Sequence, residues 1–194
     1  MIKKYFALVM VVAISSFSFA QKIKMDVMMG DKKIGEINAE KKTNGKAVQY
    51  EMSSQVEATM MVTVKISNVT KSYWYDGMLT NSRATRISNM PGQDQVTVTE
   101  LKGSHYVITI KKKQTTEAYP VRLCVTNLYF QEPVKDVTVY SEMQGQYLPI
   151  KDLGNHRYQL TQPNKKKDVY TYLNGKLLKI ETVAAGKDVV FMVK

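Results

Sequence analysis

The sequence predicts an all-β, mainly antiparallel domain, on three observations. Apolar and polar residues alternate with a period of two in one segment after another. Those segments are rich in β-branched and aromatic residues, and tight-turn dipeptides recur between them at short intervals. From that spacing we expect a single meander of roughly ten strands, curled into a barrel or half-barrel, because a sheet this long leaves fewer exposed edges when it curls.

The first twenty residues, "MIKKYFALVMVVAISSFSFA", stand outside that pattern. Lys3 and Lys4 give a positive start, residues 5–14 form an apolar run, and Ser18 and Ala20 are the small residues expected before a cut ahead of Gln21. The run is about ten residues, against the roughly 20 that a spanning helix needs. The expectation is a signal peptide over residues 1–20 and one antiparallel β domain over residues 21–194. The mature protein is then periplasmic or secreted. No cysteine stands at the cut to carry a lipid anchor, and no later segment is long and apolar enough to make a transmembrane helix.

Along the rest of the chain, "MDVMM" (residues 25–29), "MMVTVKI" (60–66), "QVTVTEL" (95–101), "HYVITI" (105–110), "VTVYSE" (137–142) and "KDVVFMV" (187–193) read as strands. Between such segments lie "GDKK", "TNGK", "YDGM", "LKGS", "DLGNH" and "LNGK". Asn-Gly and Asp-Gly are favoured there because a type I′ hairpin turn needs positive φ at both central residues. The hairpins "YWYDGML" (73–79) and "YTYLNGKL" (170–177) share Tyr-x-Tyr, a glycine turn and a leucine, which reads as one local solution used twice. One segment departs from the period: in "YPVRLCVTNLYFQEP", Val121, Cys124, Val125, Leu128 and Tyr129 fall at helical spacing between Pro120 and Pro133. A short helix, or a helical turn, near residues 120–131, lying across the sheet, is expected, with a buried strand as the alternative.

Composition narrows the function. The formal charge of +11 falls to +9 without Lys3 and Lys4, and the lysine runs at 111–113 and 165–167 suit anionic lipid headgroups or acidic glycans. They suit the solubility of β-edges and loops better still. An exported chain argues against nucleic acid. The lone cysteine, Cys124 in "VRLCV", cannot form an internal bridge and reads as a small core residue. The two histidines, His105 and His156, have no second ligand at metal-site spacing, and no nucleophile elbow or phosphate-binding glycine loop occurs. No catalytic residue, metal ligand or cofactor is therefore assigned, and a non-enzymatic protein is expected. The methionines of "MDVMM" and "MM" read first as core, then as the lining of an adaptable apolar pocket, and last as soft Cu(I) ligands. In "YWY", Tyr73 and Tyr75 share one face and Trp74 takes the other, while Tyr170 and Tyr172 share a face of their own strand. Such aromatics make cross-strand pairs or line ligand grooves. The sequon at Asn68 reads as chance.

The stretch "LYFQEP…VYSEMQGQYLPI…HRYQLTQPNKKKDVYTYLNGKLLKIE" is more specific. It carries Leu128, Tyr129, Phe130, Glu132 and Pro133, then Ser141 and Glu142. Tyr158, Leu160, Pro163, Asn164, Tyr170, Tyr172, Asn174 and Gly175 follow. In this it resembles a family of exported proteins of unknown function from Gram-negative bacteria. The resemblance is sharp from about Tyr119 onward and brings no activity with it. The candidate ligand-binding residues are Trp74, Tyr129, Glu132, Ser141, Glu142, Tyr170 and Tyr172. Each also has a structural reading, with Glu132 capping a turn and Ser141 filling a small core position. The expected partner is an apolar or lipid-like molecule held inside the curl. The alternatives are an envelope structural or protein-interaction module and, third, a hydrolase.

Overall fold

A computed structural model describes residues 19–59, 62–117, 120–184 and 186–194. Residues 1–18, most of the expected leader, lie outside the described residues, as do Met60 and Met61. The first eight strands are β1 (Phe19–Met29), β2 (Lys32–Asn44), β3 (Ala47–Thr59), β4 (Thr63–Tyr75), β5 (Met78–Ser88), β6 (Gln95–Lys102), β7 (His105–Ile110) and β8 (Lys113–Glu117). After a 3-10 turn at Val125–Tyr129 come β9 (Val137–Ser141), β10 (Gln146–Asp152), β11 (Arg157–Thr161), β12 (Lys167–Leu173), β13 (Lys176–Ala184) and β14 (Lys187–Val193). They form one antiparallel sheet in the order β8-β7-β6-β5-β4-β3-β2-β1-β14-β13-β12-β11-β10-β9. The pairing of β1 with β14, Met25 opposite Val193, joins a front meander to a back meander.

The fold class stands as expected, with fourteen strands in place of roughly ten. The extra strands are those with weak alternation. In β2 and β3 the inward positions include Ala39 and Ser54, small or polar, while lysine and glutamate crowd the outer face. Glutamate–lysine pairs such as Glu51 with Lys71 (3.0 Å) then link neighbouring strands outside. The two look-alike hairpins are built the same way. Asp76-Gly77 and Asn174-Gly175 both take positive φ at the two central positions, and each hairpin carries a β-bulge just before the turn. The bulges fall at Tyr73/Trp74 and Thr171/Tyr172, where they re-aim the strand end. Trp74 and Tyr172 both point inward there, opposite Leu79 and Leu177.

Of the short helix or helical turn expected here, the turn is what forms: Val125–Tyr129 is a 3-10 turn, and the segment before it is extended. Its backbone finds partners in strands: Tyr140 N–H donates to Leu123 O (2.8 Å), Cys124 bridges Tyr140 in parallel, and Leu79 N–H donates to Val121 O (3.0 Å). Val121, Cys124 and Leu128 are fully buried and Thr126, Asn127 and Tyr129 nearly so. A segment buried along most of its length keeps little polar face, so apolar spacing is a weak helical signal there. The segment is a plug inside the curl, and it covers the open edge of β9.

The β9–β10 hairpin is fastened to the front meander through side chains. Thr97 Oγ1 and Gln95 Nε2 donate to Met143 O (2.7 and 2.6 Å), and Thr99 Oγ1 bonds Tyr140 Oη (2.7 Å). Two apolar clusters result. The smaller gathers Tyr50, Trp74, Leu79, Tyr106, Ile108, Val121, Cys124 and Tyr140 at one end of the curl. The larger runs along β1, β2 and β10–β14 beneath the plug, and Phe130 packs against both.

Candidate functional site

Each long front strand runs from the plugged end to an open one. On β3, Tyr50 belongs to the plugged cluster, whereas Met52, Ser54, Val56 and Ala58 line a cavity of about 590 Å³. On β4, Trp74 is plugged while Thr70, Asn68, Ile66 and Val64 line the cavity, and on β5 the same division separates Leu79 from Arg86. Alternation places every second residue inward, so the wall composition follows directly from the strand sequences.

The wall is mostly apolar. Val27, Ile37, Ile180 and Val189 are buried, but Met29, Met52, Val56 and Phe191 face inward and remain only half-buried. Met90 and Met143 also line the cavity, so four methionine thioethers, flexible and polarizable, stand around it. Exposed Gln93 and half-buried Lys166 contribute at the rim, where the cavity reaches solvent.

Polar groups enter at three places. On β3–β5, Ser54, Asn68 and Arg86 sit side by side in the register. Arg86 Nε donates to Asn68 Oδ1 (3.0 Å), and Asn68 Nδ2 donates to Ser54 Oγ (2.9 Å). Burial lowers the Arg86 guanidinium from its ordinary value. Beneath the plug, the Glu142 carboxylate accepts from the Thr126 hydroxyl and from Thr126 N–H (3.4 Å). It is 2% exposed, and burial raises it above its ordinary range against the pull of those donors. Burial, and then Glu142 itself, drives the Cys124 thiol well upward, which makes it an inert core residue. On β12, Asp168 accepts from Gln162 Nε2 (2.8 Å) and from the Thr182 hydroxyl. Tyr129 and Tyr170 lie between these acids; burial raises both phenols, and neither hydroxyl bonds another described residue.

Four of the seven residues singled out from the sequence, Tyr129, Ser141, Glu142 and Tyr170, come together in this cavity. The other three hold the plug. Trp74 Nε1 donates to Ser72 Oγ (3.0 Å) and its ring meets Tyr50 edge-on. Tyr172 Oη donates to Leu128 O (2.7 Å). Glu132 accepts from Tyr158 Oη (2.9 Å) and lies 2.8 Å from His156 Nδ1, just beyond the plug. Burial, then that bond to Glu132, pushes Tyr158 up to about 12. Arg86, Asn68, Ser54, Thr126 and Asp168 were not singled out. Thr126 lies in the 3-10 turn; for the other four the one sequence signal is a polar residue at an inward strand position, visible only once the register is known. Among the described residues no group of three or more His, Cys, Asp or Glu could hold a metal ion, and no helix is long and apolar enough to cross a membrane.

Comparison with known proteins supplies the family. "Domain of unknown function (DUF6134)" matches residues 25–194. The chain belongs to the DUF6134 family. Among solved structures, the DUF6134 chain is similar to a beta-barrel-like protein of domain of unknown function DUF1849 from Brucella abortus. The TM-score is 0.52 at 9% identity, covering 89% of this chain and 95% of that one, so the likeness is one of fold. No curated protein matches the chain.

Proposed function

We propose that this DUF6134 protein is an exported, non-enzymatic binding protein that holds an apolar or lipid-like molecule in the open half of its curl. One observation carries the reading: inward-facing Met29, Met52, Val56 and Phe191 stay half-buried around a cavity of about 590 Å³. That volume falls in the range of small-molecule sites, which are mainly apolar with a few placed polar groups. The leader-like residues 1–20 support export. Binding is favoured over catalysis because Glu142 and Asp168 are already engaged by Thr126, Gln162 and Thr182. The second reading, an envelope interaction module, rests on Tyr73, Tyr75 and Leu173, all exposed near the two matching hairpin turns.

Native mass spectrometry of the protein purified from its own periplasm, with solvent extraction in parallel, tests the proposal. A co-purifying apolar mass that extraction removes is the expected result. A bare chain that also fails to take up an added apolar fluorophore would overturn it in favour of the interaction module.

A further inference from the structure

Resting on that reading, we infer that the bound molecule is an amphiphile with an anionic head group, and that Arg86 is the residue that recognises the head. The argument begins with what Arg86 lacks. It lines a largely apolar cavity and is half-buried, yet its one described hydrogen bond uses Nε, to the neutral Asn68 side chain. No carboxylate among the described residues pairs with it. A desolvated guanidinium is ordinarily matched by an acid, because its remaining donors otherwise lose water without replacement. The desolvation is visible in the lowered proton affinity of Arg86, for which burial is the sole cause.

Asn68, itself held by Ser54, takes Nε, and the two terminal amino groups of the fork have no acceptor among the described residues. That pair is the geometry that takes a carboxylate or phosphate in bidentate fashion. The acids of the cavity do not compete for it. Neither Glu142, whose neighbour Met143 accepts from Gln95 opposite Arg86, nor Asp168 on β12 forms an ion pair with it among the described residues. Each is occupied by donors of its own wall. A chain lying along Met52, Val56, Met29 and Phe191 would place an anionic end at Arg86, with Lys166 adding a second cation at the rim.

The test measures binding of palmitate, of hexadecyl phosphate and of the matched uncharged alcohol to the protein and to its Arg86→Met and Arg86→Lys variants. Thermal melting first verifies that each variant is folded. The expected result is a preference of about tenfold or more for the anions over the alcohol, in line with a charge-assisted bond. Arg86→Met should abolish that preference, and Arg86→Lys should retain part of it. Palmitate against hexadecyl phosphate then separates a carboxylate from a phosphate head. Equal affinity for anion and alcohol, or a preference that survives Arg86→Met, would overturn the role of Arg86 and leave the cavity reading standing. Failure of all three amphiphiles to bind folded protein would sink both.

Discussion

The Trp74 end and the Arg86 end of the curl are lined by the same strands, β3, β4 and β5, and they have been solved differently. At the first, the chain fills its own interior. Val121, Cys124 and Leu128 enter as a plug, and Tyr50, Trp74, Tyr106 and Tyr140 close around it. Polar atoms that enter with the plug find partners, among them Asn127 Oδ1 accepting Cys124 N–H and Leu128 O accepting from Tyr172. At the second, inward side chains shrink or become polar, with Ser54, Ala58, Asn68 and Thr70 in place of rings, and the space stays open. The lesson is that a curled sheet of this length is too wide for its own side chains, so one half needs an inserted segment and the other is left for a guest.

That contrast is open to direct attack. The largest effect is expected at Leu128, which is fully buried in the plug. Leu128→Ala should cost about 2–5 kcal/mol in chemical denaturation, whereas Met52→Ala, in a wall that already faces a cavity, should cost under about 1 kcal/mol. Equal losses would mean that the two halves are not differently packed. Next comes the side-chain seam. Gly145 has φ +63°, and a Cβ there would meet Ile108 Cγ2 at 2.7 Å and Ile110 Cδ1 at 2.9 Å. Gly145→Ala should lower stability by roughly 1–3 kcal/mol, combining left-handed strain with a clash against β7. A variant as stable as the parent would show that the hairpin does not bear on the front meander.

The smallest expected effect is a pH dependence at the boundary between the halves. Burial holds the Glu142 carboxyl above its ordinary 4.5, so the folded protein keeps that proton more tightly than the unfolded chain. The stability this contributes is complete below about pH 4.5 and is lost as pH rises through the folded-state value. Glu142→Gln leaves an acceptor for Thr126 but cannot ionise. The stability of the parent minus that of the variant should therefore fall as pH rises above about 4.5. A difference that stays level or grows would mean that the carboxyl is not held neutral.

Much of the fold was legible because its signals are local. Period-two alternation marks the strands, and Asp76-Gly77 and Asn174-Gly175 mark turns whose positive φ no other pairing fits as cheaply. The helical turn of the plug was legible, but it is shorter than the apolar spacing suggests, because Val121, Cys124 and Leu128 are apolar for a reason unrelated to any period: they are buried. The candidate site was half legible. Tyr129, Ser141, Glu142 and Tyr170 lie in or near the blocks that stood out, and they meet in the cavity. Asn68 shows why the rest did not. It reads as a stray sequon, yet its amide links Ser54 to Arg86 across three strands. That juxtaposition belongs to the register and appears in no stretch of contiguous sequence.

The joint between β1 and β14 has a consequence for the order of assembly. Lys194 N–H donates to Lys24 O (3.0 Å), so the last residues of the chain complete a ladder begun near residue 24. Every other neighbour in the sheet is next to it in sequence. Each meander can therefore zip up from its own hairpins, while the union of the two waits for the final strand to be available. Until then β1 is a bare edge whose natural partner is the chain's last strand, and a free β14 from another copy would fit it equally well. The β1–β14 seam is thus the one place in the sheet where strand exchange between copies would replace a pairing of strands far apart in sequence.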